Sequence, residues 1–96
     1  MTSLTALAAD GEYRLVIREP KFEPAEIRIP ANTKVKLLVE NKDTTPEEFV
    51  SHSLKREKVI APVATAAINI GPLKPGESPF VGEFHEKTAM GVVIFE

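Results

Sequence analysis

Apolar and polar residues alternate with a period of two along most of this chain. Ala25-Glu26-Ile27-Arg28-Ile29-Pro30 sets Ile27 and Ile29 on one side and Glu26 and Arg28 on the other. Lys34–Asn41 does the same with Val35, Leu37 and Val39, and Ala64–Ile70 repeats the pattern. Successive side chains of a strand point to opposite faces, so these stretches read as half-buried strands; a helix would need apolar residues every three or four positions. Further strands are expected over Tyr13–Arg18, Glu47–Val50, Val59-Ile60, Pro79–Phe84 and Gly91–Phe95. Turn signals rich in Pro, Gly, Asn and Asp fall between them, every 8–12 residues.

That rhythm predicts an all-β fold, an antiparallel two-sheet Greek-key sandwich. Eight prolines agree with it when they sit in loops and on edges. Ser51–Lys58 is the one stretch of helical flavour: Ser51 could cap a turn anchored by Leu54, so a short helical segment is expected near residues 51–58. At 96 residues the chain makes one domain, with roughly two thirds of its surface buried on folding.

Composition closes several routes. With no cysteine, disulfides, thiolate metal sites and cysteine nucleophiles are excluded. Lys and Arg number 12 against 14 Asp and Glu, for a net charge of −2, which argues against nucleic-acid binding. No apolar run is long enough to span a bilayer. No Gly-rich phosphate loop, G-x-S-x-G elbow or H-E-x-x-H helix is present. Ser51-His52 is an adjacent pair whose side chains diverge on a strand. No activity as an enzyme on its own is expected.

Residues 1–8 read either as a short disordered tail or as the stub of a signal peptide. Ala6-Leu7-Ala8 has the small-x-small form of a signal-peptidase site, although the basic and most of the apolar parts of a leader are missing. The ordered-looking sequence begins immediately afterwards, so we read the segment as a leader stub. The expectation is an exported, periplasmic protein with a single domain over residues 9–96.

Two regions carry chemical information: Asn41–Phe49, a strand end followed by Pro46-Glu47-Glu48-Phe49, and Phe80–Gly91, which holds His85 and Met90. From Tyr13 to Glu96 the chain resembles the cupredoxins, the small β-sandwiches that hold blue copper. The resemblance rests on Phe22-Glu23-Pro24-Ala25-Glu26-Ile27, on Pro30-Ala31-Asn32-Thr33, on a strand ending in Asn41, and on the last loop. That loop has the form Cys-x2-His-x4-Met in the family and reads Gly82-x2-His85-x4-Met90 here. The family's first histidine falls at Glu47, after Pro46.

The resemblance implies a metal site built from His85, Glu47, Met90 and Glu48. With glycine at the cysteine position, no type-1 copper is expected, because the copper–thiolate bond defines that centre. An imidazole with carboxylates suits Cu(II), Zn(II) or iron, so a copper or iron ion at a non-blue site is the expected cofactor. Glu83, Glu86 and His52 are weaker candidates, read first as solvated surface.

Glu47-Glu48-Phe49 together with Gly82-Glu83-Phe84-His85-Glu86 resembles the cupredoxin-like proteins of bacterial periplasmic iron-uptake systems. That resemblance implies a role in iron or copper acquisition, a periplasmic or membrane permease as partner, and an accessory part in ferrous-iron oxidation. The rival reading is a structural or interaction sandwich that has lost its metal.

Overall fold

A computed structural model describes residues 11–96; the expected leader stub at 1–8 lies outside the described residues. Among the described residues nine strands run β1 Glu12–Arg18, β2 Lys21–Glu23, β3 Glu26–Ile29, β4 Val35–Asn41, β5 Glu47–Ser51, β6 Arg56–Ile60, β7 Ala64–Ile70, β8 Gly76–Gly82 and β9 Met90–Phe95. They form two sheets, a four-stranded one in the order β2-β1-β4-β7 and a five-stranded one in the order β3-β9-β8-β5-β6. The all-β two-layer architecture expected from the alternation is what the chain adopts.

Two details correct the sequence reading. The sheets are mixed and not purely antiparallel, since β1 runs parallel to β4 and β3 parallel to β9. Alternation reports which face a residue occupies and carries no information about strand direction. The helical segment expected near 51–58 is also absent. Ser51 does cap a single turn, its Oγ accepting the Leu54 N–H at 3.3 Å, and the Lys55 N–H bonds the His52 carbonyl at 3.1 Å. Lys55 then adopts φ 56°, and the chain returns as β6, with Arg56 opposite Ser51. Pairing with β5 satisfies the backbone of Arg56–Ile60 and gives β5 a partner along that edge. The one helix among the described residues is a 3-10 turn at Glu83–His85.

The inward positions of both sheets form the core, with Leu15, Ile17, Leu37, Val39, Phe49 and Val93 all fully buried. Phe22 meets Phe80 edge-on at 4.9 Å, and Phe80 stacks on Phe49 at 5.0 Å. Such pairs add about 0.5–1.5 kcal/mol each beyond the area they bury. This aromatic group includes Phe49 and Phe80, which lie on the two strands that carry the candidate site.

Asn41 ends β4 inside the protein with no exposed surface. Its Nδ2 donates to the carbonyls of Thr45 at 2.8 Å and Ile60 at 3.2 Å, and its Oδ1 accepts the Asp43 N–H at 3.0 Å. The side chain thereby ties the entry to β5 to the end of β6. Asn41→Ala removes the donor to those carbonyls and the acceptor of the Asp43 N–H, and the expected loss is about 2 kcal/mol in urea denaturation. A change under about 0.5 kcal/mol would show that water replaces the amide at no cost.

Candidate metal centre

Glu47 opens β5 pointing inward and is 1% exposed. A buried carboxylate needs hydrogen-bond partners on its oxygens, and both oxygens of this one have them. Oε1 accepts the Phe84 N–H at 2.9 Å and the Glu48 N–H at 3.0 Å. Oε2 lies 2.7 Å from His85 Nδ1, within hydrogen-bond distance. The imidazole itself is about one third exposed, so the pair has one buried end and one wet end.

The loop between β8 and β9 is held from both sides. The Ala89 N–H bonds the His85 carbonyl at 2.8 Å, and the Gly82 N–H bonds the Ala89 carbonyl at 2.8 Å. Thr88 Oγ1 donates to the Pro20 carbonyl at 3.0 Å, fastening the loop to the β1–β2 turn. The strand expected to continue to Phe84 therefore stops at Gly82. The Phe84 N–H turns to the Glu47 carboxylate, and the 3-10 turn delivers His85 to the same group.

The four expected site residues divide into two sets. Glu47 and His85 come together. Glu48 alternates to the other face of the sheet, opposite Val59. Met90 stands opposite Val81, on the outward side of β9, and is half exposed. Ala89, fully buried, takes the inward place beside Gly82. Ala89 was not singled out from the sequence. Its signal is a small residue directly before Met90, at the position a larger side chain would overfill. Glu83, Glu86 and His52 are exposed.

Type-1 copper does not fit this arrangement. Beyond the missing thiolate, the space for one is taken. A Cβ built on Gly82 would lie 2.6 Å from Glu47 Cδ and Oε2, and 2.8 Å from Ala89 Cβ. Among the described residues no three His, Cys, Asp or Glu side chains cluster closely enough to hold a metal ion. The donors that do meet, one carboxylate and one imidazole, have the chemistry of a borderline divalent ion such as Cu(II), Zn(II) or Fe(II).

Comparison with known proteins agrees with the fold. A family model described as "Cupredoxin-like domain" matches residues 1–95. An uncharacterized protein of Rickettsia prowazekii (strain Madrid E) is 42% identical over 83 residues, 86% of this chain and 66% of that protein. The chain thus spans just under two thirds of that relative's length. Among solved structures, the metal-binding domain of the Streptococcus pneumoniae Cu(I)-exporting P-type ATPase superimposes with a TM-score of 0.82 at 16% identity, covering 100% of this chain and 98% of that one. Amicyanin from Paracoccus versutus gives 0.69 at 18% identity, covering 94% and 85%. With the family model matching nearly its whole length, the chain belongs to the cupredoxin-like domain family.

Proposed function

We propose that this chain is an exported metal-handling domain of iron or copper acquisition, binding a copper or iron ion at a non-blue site centred on His85. The observation that carries the reading is the contact of Glu47 Oε2 with His85 Nδ1 at 2.7 Å. A metal-binding histidine is commonly oriented by, or shares its ion with, a carboxylate. Here that carboxylate is buried and locked by two backbone N–H groups, while the ring reaches solvent.

His85 and Glu47 are the residues that would hold the ion, and a bound ion would supply redox or Lewis-acid chemistry. Glu48 and Met90 stand on the outer face and are assigned no direct contact. Two protein donors leave coordination open to water or to a partner's groups, which suits an ion that is passed on more than one that is stored. The passing partner in this reading is a periplasmic component or a membrane permease of an iron-uptake system. Among the described residues no helix is long and apolar enough to cross a membrane.

Separate titration of Cu(II), Fe(II) and Zn(II) into the full chain, followed by NMR, tests the site. The expected result is a selective, saturable response at His85 and Glu47 that His85→Ala abolishes. Recovery of the native protein from the periplasmic fraction tests the setting.

One observation favours a second reading, a metal-free interaction sandwich. Every oxygen of Glu47 already has a protein partner, so the Glu47–His85 pair can close the family's metal position without an ion. Flat responses to all three ions would select this reading over the first.

A further inference from the structure

Each sheet ends in two edge strands, and among the described residues β7 differs from the rest. β2 has only three residues, two of them Lys21 and Glu23, and β3 carries Glu26 and Arg28 within four. β6 carries Arg56, Glu57 and Lys58. Short length and charged side chains keep foreign strands off an edge. β7 has neither protection. Its seven residues, Ala64-Thr65-Ala66-Ala67-Ile68-Asn69-Ile70, include no charge, no proline and no glycine.

The register shows which backbone groups this edge offers. The Lys36 N–H turns away from β7 to the Gly11 carbonyl at 2.9 Å. Lys36 stands opposite Asn69, so the two form a non-hydrogen-bonded pair of the antiparallel ladder. The N–H and C=O of Asn69 therefore point away from β4, and with a period of two those of Ala67 and Thr65 do the same. All three residues are exposed. Arg56 Nε, from β6, donates to the Asn69 carbonyl at 2.8 Å. That carbonyl keeps a second lone pair. The N–H groups of Thr65, Ala67 and Asn69 have no partner among the described residues.

We infer that β7 pairs edge to edge with β7 of a second copy of this chain, antiparallel about a two-fold axis at Ala67, so that the two four-stranded sheets become one. A two-fold interface must be self-complementary. Ala67 falls opposite the partner's Ala67, each N–H meeting the other's carbonyl. Thr65 falls opposite the partner's Asn69, again with both backbone groups answered. Behind β7, Leu38 backs Ala67, Lys36 backs Asn69 and Glu40 backs Thr65. The axis thus puts Lys36 of one copy in the same row as Glu40 of the other, and the Leu38 rows run together. Parallel pairing would align Lys36 with Lys36 and Glu40 with Glu40, and like charges across an interface oppose association. Another extended peptide could reach the same backbone groups, but the copy matches their length, lack of charge and flanking signs by construction. The inference does not depend on a metal being bound.

Sedimentation equilibrium of the full chain is expected to show a monomer–dimer equilibrium, with dimer dominant by about 1 mM. Amide exchange at Thr65, Ala67 and Asn69 is expected to slow roughly tenfold as the dimer forms, with no change along β6. Ala67→Pro removes an outward N–H and no bond to β4, a place where an edge strand tolerates proline, and is expected to yield a monomer. Ala67→Lys and Ala67→Glu, both at an exposed site, are each expected to be monomeric because like charges then stand directly opposite, and an equal mixture of the two is expected to dimerise. A parent chain that stays monomeric at about 1 mM would overturn the proposal. So would a dimer that survives Ala67→Lys, or a mixture no more associated than either variant alone. Slow exchange at the three amides at every concentration would also overturn it, since the edge would then be covered by its own chain.

Discussion

Gly82→Ala is expected to destabilise the domain by about 3 kcal/mol, an unusually large effect for the addition of one methyl group. The added Cβ would lie 2.6 Å from the Glu47 carboxylate and 2.8 Å from Ala89 Cβ. A flexible side chain could swing away at little cost, but Glu47 is held by the Phe84 and Glu48 N–H groups on one oxygen and by His85 on the other. Moving it breaks those contacts, and leaving it forces the β5–β8 pair apart where Phe49 lies opposite Gly82. Urea denaturation gives the loss directly.

The cause is identified by a double-mutant cycle with Glu47→Ala. If the two side chains compete for one space, Gly82→Ala costs about 1–2 kcal/mol less in the Glu47→Ala background than alone. Strict additivity would place the strain elsewhere. Gly82→Cys meets the same obstacle, so putting the family's sulfur donor back by itself is expected to give no blue Cu(II) colour. Positions 47 and 82 thus act as one substitution: the carboxylate occupies the space that the family's cysteine would need.

This coupling shows where the sequence stopped being legible. The sandwich could be read because alternation is written residue by residue, and Ile27, Val35, Leu37 and Val39 all point inward as their pattern implies. The turn at Ser51–Lys55 misled because its first four residues satisfy the opening of a helix as well as they satisfy a hairpin. What decides between them is pairing with a strand that lies earlier in the chain.

Glu47 and His85 were legible as candidates from their places in the family pattern, 38 residues apart. That they meet each other, one buried and one wet, depends on which way the strand at Glu47 faces. The adjacent Glu47-Glu48 pair leaves that open, because either glutamate could be the inward one. Met90 was placed by loop spacing alone. A one-residue change in where the loop ends moves a side chain from one face of a strand to the other, and the inward place went to Ala89.

Glu47→Ala is expected to cost about 3 kcal/mol and, unlike most core truncations, to loosen one loop selectively. It leaves the Phe84 and Glu48 N–H groups and His85 Nδ1 without their acceptor, each a loss of about 1 kcal/mol or more where water cannot enter. The relief of no longer burying a carboxylate offsets part of this. The loosened segment is Glu83–Ala89, so amide exchange at Phe84 and Ala89 should quicken well beyond the change at Leu37 or Val39 in the core. Uniform acceleration across both sheets would mean that the carboxylate supports the whole fold and not the loop in particular. Glu47→Gln separates shape from charge. The amide oxygen can still accept both N–H groups, so the stability loss is expected to be only about 1 kcal/mol and the loop to stay protected. Any ion held at His85 would nevertheless lose its anionic neighbour, with an expected tenfold to hundredfold fall in affinity, roughly the range seen when a carboxylate supporting a metal-bound histidine is removed. A Glu47→Gln protein that keeps both its loop and its full metal response would show that His85 binds without help from the carboxylate beneath it. One that keeps the loop and loses the response would place the ion against Glu47 itself.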